Sequence, residues 1–108
     1  GRVYTIDGGK ATGDNSLIAG KCLIGQFDVF VLFDCGATNS FISVECVKRL
    51  NLESSPLNPP MSVTVATGSR IISKCVCQNC PVTVTEKTYF IDLICLPLKD
   101  LDVVLGMN

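Results

Sequence analysis

The sequence predicts an all-β fold with one short helix, and three observations carry that reading. Twelve Val, eight Ile and eight Thr make 28 of the 108 residues β-branched, and such side chains favour extended backbone over helix. Apolar residues fall on alternate positions or in short apolar runs bounded by Gly, Pro, Asn and Asp, which is strand-and-turn patterning. Within residues 41–52 alone, Val44, Val47 and Leu50 recur at three-residue spacing behind a capping residue, Ser43. At this length one domain is expected, burying roughly 65% of its unfolded surface.

Taken in order, residues 1–15 mix Gly, Asp, Thr and Lys without a lasting period and read as a linker or N-terminal arm. Patterning starts at Ser16. Residues 17–33 hold two apolar stretches around Gly25-Gln26, the mark of a β-hairpin, and its second strand, residues 27–33, is apolar enough to be buried. That strand delivers Asp34 into a turn of small residues. The short helix follows, with Ser43 at its start and Lys48-Arg49 near its end. Pro56, Pro59 and Pro60 are then expected to break the chain. Alternation on either side of Thr67-Gly68 predicts a second, long and exposed hairpin over residues 61–77, with glycine at its tip. Beyond Pro81, residues 82–96 read as two more strands joined near Glu86-Lys87, and residues 103–106 as a last one. Beginning at Gly1 and stopping at Asn108, the chain reads as a segment cut from something longer.

Charge and composition exclude several functions. Nine cations against ten anions, scattered along the chain, supply no basic stripe for phosphates, so no direct nucleic-acid partner is expected. The longest apolar run, residues 29–33, is far short of the roughly 20 residues a spanning helix needs, so no membrane partner is expected either. The chain has no histidine. That removes the Ser-His-Asp triad, the Cys-His pair and the HExxH metal helix, and leaves acid-base chemistry to carboxylates, thiols, lysine or tyrosine. Seven cysteines, an odd number, argue for reduced thiols in a cytosolic setting. Cys22, Cys46 and Cys95 read as core. Cys75-x-Cys77-x-x-Cys80 lacks a fourth ligand, so two strand cysteines and a turn cysteine are expected there, with no metal and no cofactor.

The sharpest local feature is Phe33-Asp34-Cys35-Gly36-Ala37-Thr38. A carboxylate at the end of an apolar strand is costly unless it is hydrogen-bonded or used. By itself a D-x-G also fits an aspartate capping its own turn. Asp28, Asp100 and Asp102 read as solvated strand-end charges, and Asp92, between Ile91 and Leu93, has no evident partner.

With a Gly-tipped hairpin downstream and Val104-Leu105-Gly106 near the end, the chain resembles a retropepsin, the half-length aspartic protease of retroviruses and long-terminal-repeat retrotransposons. The pattern most resembles the gypsy-type protease of plants, through GRVY at residues 1–4, VLFDCGATNSFIS at 31–43 and DVVLGMN at 102–108. The resemblance implies a small closed β-barrel with a flap hairpin and one helix, spanning residues 16–108 and stopping short of the C-terminal helix and strand with which such proteases continue. It also implies a homodimer in which one Asp34 from each subunit forms a dyad that shares a proton and activates water, with activity peaking in mildly acidic solution. One Asp-x-Gly-Ala per chain fits that stoichiometry.

By the same resemblance Cys35, Gly36 and Ala37 form the active-site turn. Thr67, Gly68 and Ser69 form the flap tip over an extended peptide, and Val104 lines a side-chain pocket. The implied substrate is the Gag-Pol-type polyprotein of which the chain is part, and the implied setting is the cytoplasm or virus-like particles within it. Cys35 departs from the Ser or Thr that usually follows the catalytic Asp, and a thiol is the weaker hydrogen-bonding group. That departure and the early stop keep open a catalytically weak or inactive binding and dimerisation module; a thiol-rich redox or metal domain is a third reading.

Overall fold

Hairpin turns set the order of the strands. Gly25 takes a φ of 61°, a conformation open to glycine at no steric cost, and there the chain reverses between β2 (Leu17–Ile24) and β3 (Phe27–Asp34). Their antiparallel register runs without interruption from Ile24↔Phe27 to Leu17↔Asp34. The computed structural model describes residues 5–6, 17–65 and 68–107. In chain order the remaining elements are β1 (Thr5–Ile6), which precedes β2, then β4 (Ser40–Ser43), α1 (Val44–Arg49), β5 (Ser55–Val65), β6 (Arg70–Val84), β7 (Lys87–Leu96) and β8 (Val103–Gly106). The all-β expectation with one short helix holds.

Six strands close into a ring, β6-β2-β3-β8-β4-β7, because β7 pairs back onto β6. β5 lies outside it against β6, and Thr5–Ile6 run parallel to Thr64 and Val65 on the far edge of β5. The rest of the proposed N-terminal arm lies outside the described residues. The centre of the ring is a three-strand crossing. β8 runs parallel to β3, from Val31↔Val103 to Asp34↔Gly106, while β4 packs antiparallel on its other side through Phe41↔Val104 and Ile42↔Val103. No helix among the described residues is long and apolar enough to cross a membrane.

Alternation along the strands divides the interior in two. Val29, Val31, Ile42, Leu93 and Val103 point to one apolar cluster, with Cys22, Cys46, Cys77, Cys80 and Cys95. Leu32, Ala37, Phe41, Val63, Val76, Ile94, Leu96 and Val104 form the other. Each fully buried Val, Leu, Ile or Phe contributes about 1.5–3 kcal/mol by leaving water.

The helix is short but closed at both ends. The Ser43 hydroxyl accepts from the Cys46 amide at 2.9 Å, and at the far end Asn51 takes a φ of 53°. There the Asn51 amide donates to the Lys48 carbonyl and the Leu52 amide to that of Val47, the paired bonds of a Schellman cap with asparagine in the left-handed position.

Two expectations are corrected, both at prolines. Pro56, Pro59 and Pro60 do not precede the flap strand; they lie inside β5, where the ladder shifts register between Pro56 and Met61. An irregular stretch tolerates residues that cannot donate. Nor does Pro81 separate two strands. It sits within the 15-residue β6 opposite Phe90, and its carbonyl accepts from the Gly25 amide at 3.3 Å. Cys80, expected in a turn, is therefore a strand residue, 5% exposed, just past an irregularity at residues 78–79. Asn79 has a φ of 54° there, and its amide donates to the Asp92 carboxylate at 2.8 Å, which supplies the partner the sequence left unassigned. The β6–β7 turn does fall at Thr85-Glu86, both at positive φ, next to the Val84↔Lys87 pair.

Candidate active site

Asp34 is the last residue of β3, and its position follows from what flanks that strand. β2 holds one edge and β8 the other, so the chain is fully paired up to Asp34 and then turns at Cys35-Gly36. Two amides converge on the Asp34 carbonyl, from Ala37 at 3.3 Å and from Met107 at 3.0 Å. The Gly36 amide donates to Oδ1 of the carboxylate at 3.0 Å. The turn-capping role and the placement of an acid at the mouth of a crossing are thus both present in one residue, which is half-buried and reachable by solvent.

The turn itself is split by exposure. Cys35 and Gly36 are exposed, whereas Ala37 is 2% exposed and anchors the loop in the second apolar cluster. Val104 lies in the same cluster, 1% exposed, on the strand beside Asp34. Gly68 has a φ of 90° at the end of the β5–β6 arm, and Gly68 and Ser69 are exposed there. Thr67 lies outside the described residues.

Two residues to which the sequence assigned no role hold the site together. Ser40, buried at 7% exposure, accepts from the Gly106 amide through its hydroxyl at 3.0 Å. A polar residue at the head of the buried strand Ser40–Ser43 was the available signal. Asp102 braces the same crossing from the opposite end. Its carboxylate accepts from the Phe30 amide at 2.8 Å and from Arg49 at 3.0 Å, its amide donates to the Phe30 carbonyl, and its carbonyl accepts from Ser43. Asp102 is a structural bracket, not a solvated strand-end charge.

The buried thiols are weak acids. Burial pushes Cys22, Cys46 and Cys80 up to about 11, helped for the first two by the Asp102 charge and for Cys80 by Cys77. Burial raises Cys77 and Cys95 as well. Cys22, Cys46 and Cys95 are core residues, as expected. Among the described residues no group of three or more Cys, Asp or Glu side chains is placed to hold a metal ion.

Chemically, the arrangement offers one carboxylate, aligned by a backbone amide, at the end of a strand held between β2 and β8. Comparison with solved structures finds the same fold elsewhere. The retroviral protease-like domain of Ddi1 from Leishmania major superposes with a TM-score of 0.57 at 14% identity, over 85% of this chain and 68% of that one. A Legionella pneumophila protein of unknown function, Lpg0085, superposes with a TM-score of 0.51 at 12% identity, over 97% of this chain and 83% of that one. No curated protein matches by sequence. The sequence profile of the retroviral aspartyl protease family, in contrast, matches residues 1–108 from end to end. With that match over a retropepsin-like ring of strands, one of which runs into an Asp-Cys-Gly-Ala turn, the chain belongs to the retroviral aspartyl protease family.

Proposed function

We propose that the chain is an aspartic endopeptidase that acts as a homodimer on the polyprotein of which it is part, a Gag-Pol-type substrate. The observation that carries this reading is the setting of Asp34, an amide-aligned carboxylate at the end of a strand locked between β2 and β8. One such acid per chain is half of a dyad, and a two-fold axis beside Asp34 supplies the other half.

In the dimer the two Asp34 carboxylates face each other and share one proton. The ionised member takes a proton from a bound water, whose oxygen attacks the peptide carbonyl carbon, while the protonated member gives its proton to the carbonyl oxygen. The tetrahedral diol then collapses. A proton passes to the amide nitrogen, the C–N bond breaks, and an amine and a carboxylic acid leave. The substrate lies extended between the flap around Gly68-Ser69 and the Gly36 carbonyl, adding a strand to the molecule. Support for a second copy at this edge comes from Met107, 58% exposed next to Asp34's strand partner Gly106, and from an open apolar cavity of about 310 Å³ lined by Phe33, Leu105 and Met107 among others. The cytoplasm, or a particle assembled in it, is where such processing occurs in this reading.

The test is cleavage of a polyprotein fragment or a denatured protein, blocked by a statine-type mimic of the tetrahedral intermediate. Asp34→Asn abolishes turnover while leaving the fold and the dimer intact. Cleavage that persists in this variant overturns the assignment, and a stable dimer without turnover would mark a binding and dimerisation module instead.

A further inference from the structure

The cysteines of β6 and β7 form an arrangement that chemistry at Asp34 does not use. In that antiparallel ladder Cys77 pairs with Leu93 and Val76 with Ile94. One step further toward the flap, Cys75 therefore comes opposite Cys95. Val76 and Ile94 face the second apolar cluster, whereas Cys75, Cys77 and Cys95 all belong to the first, so the three thiols lie on one face. The Cys95 thiol is within hydrogen-bonding reach of both the others.

Distance separates the two possible pairs. Directly opposed β-carbons on one face of an antiparallel pair lie about 4.5–5.5 Å apart, and diagonal neighbours about 7–8 Å. A disulfide needs about 3.5–4.5 Å between β-carbons. Cys75 and Cys95 reach this by a small closure; Cys77, diagonal to Cys95, does not. A side chain already ties the opposed pair together, since the Ser73 hydroxyl donates to the Cys95 carbonyl at 2.6 Å and to the Cys75 carbonyl at 3.2 Å. Exposure ranks them the same way. Cys75 is half-buried and the most exposed of the three, while Cys77 and Cys95 are 2% and 5% exposed.

We propose that Cys75 and Cys95 form an oxidisable cross-strand dithiol whose co-substrate is a low-molecular-weight disulfide such as oxidised glutathione. The Cys75 thiolate attacks one sulfur of that disulfide, its S–S bond breaks, and one glutathione thiolate leaves. Cys95 then attacks the Cys75 sulfur, the mixed disulfide breaks, and the second glutathione thiolate leaves. The two cysteine protons end on the two glutathiones, and the protein has lost two protons and two electrons to the reagent. Because burial keeps Cys95 protonated, the second exchange is the slow one, and a Cys75 adduct precedes the internal bond. The product staples the root of the flap strand to β7, which in turn pairs with β4 through Ile42↔Cys95. It closes the β6–β7 hairpin covalently and leaves the flap tip at Gly68 unlinked.

The reduced, folded chain is incubated with oxidised glutathione, its remaining thiols are alkylated, and linked peptides are mapped by mass spectrometry. The expected product joins Cys75 to Cys95, with a transient glutathione adduct on Cys75 before it. Cys77→Ser retains the link, and Cys75→Ser loses it. The oxidised wild-type chain melts at a higher temperature than the reduced one, a shift absent in Cys75→Ser. A link from Cys95 to Cys77, an adduct on Cys75 that never converts, or no linked peptide in the wild-type chain would each overturn the proposal. None of these readouts depends on peptide cleavage, so they stand apart from the fate of the proposed protease function.

Discussion

A β-carbon on Gly106 would lie 2.5 Å from the carbonyl oxygen of Asn39. It would also meet the Ala37 carbonyl oxygen at 2.7 Å, so the strand beside Asp34 passes the loop at residues 37–39 at a distance only glycine permits. The obstructing atoms are backbone and have no rotamer to change. Gly106→Ala is therefore expected to destabilise the fold by about 1–3 kcal/mol. In the proposed protease it also shifts the loop that carries Asp34, where displacement of a reacting group by about 1 Å lowers turnover on the order of 100-fold. Ser40→Ala tests the same clamp from its other side, because it leaves the Gly106 amide without its acceptor, at a cost of about 1–3 kcal/mol. Urea denaturation and peptide-cleavage kinetics on both variants check this. A positioning role predicts that kcat falls more than KM rises; equal stability to wild type in Gly106→Ala would refute the close approach.

The bracket at Asp102 makes a different prediction. Its carboxylate joins β3 through the Phe30 amide and α1 through Arg49, but the Arg49 side chain is 54% exposed. Ion pairs that open to solvent add little, whereas a backbone amide bonded to a carboxylate adds about 1.5–3 kcal/mol. Asp102→Ala is thus expected to lose about that much in urea unfolding, Asp102→Asn less, and Arg49→Ala almost nothing. A larger loss in Arg49→Ala than in Asp102→Ala would show that the ion pair carries the bracket.

These two residues also mark where sequence reading stops. Gly25 at a hairpin, Ser43 at a helix start, Gly68 at an arm tip and Asp34 at a strand end are all legible, because each is set by neighbours a few residues away. The partners of Ser40 and Asp102 stand 66 and 72 residues distant along the chain. No local rule connects them, and their side chains read as ordinary polar residues until the three-strand crossing brings them together. The prolines mislead for the opposite reason. Pro81 and the group from Pro56 to Pro60 obey a local rule that disfavours regular strand, yet the shifted register of β5 absorbs Pro59 and Pro60, and Pro81 sits in the β6 ladder opposite Phe90. Cys80 moves from turn to core as a consequence.

Buried thiols make the fold sensitive to alkali. Burial raises Cys22, Cys46 and Cys80 from an ordinary value of 9.0 to about 11. In the unfolded chain these thiols ionise as pH passes 9, while in the fold they stay protonated until about 11, so between those values the unfolded state binds fewer protons. Stability is then constant with respect to these groups below about pH 8 and declines as pH rises from 9 to 11. Urea midpoints measured across that range check the direction. In Cys22→Ala or Cys80→Ala the alkaline slope is shallower, whatever the change in stability at neutral pH; a midpoint that rises with pH would contradict the assignment of these thiols to the core.

Cys35, exposed directly after Asp34, gives the last prediction, which rests on the proposed dimer. In that dimer the two residues at position 35 approach each other across the axis, and a thiol pair offers a weak donor and a weak acceptor in place of a hydroxyl pair. Cys35→Thr supplies two ordinary hydrogen bonds, each with a net contribution of about 0.5–1.5 kcal/mol. Roughly 1.4 kcal/mol corresponds to a tenfold change in an equilibrium constant. The dimer dissociation constant of Cys35→Thr, measured by sedimentation equilibrium under reducing conditions, is therefore expected to fall about tenfold, with a parallel rise in cleavage rate at low protein concentration. Once both proteins are fully dimeric their rates converge, because the carboxylates that do the chemistry are unchanged. An unaltered dissociation constant would show that position 35 does not face its mate, and with it that the two Asp34 carboxylates do not meet in this way.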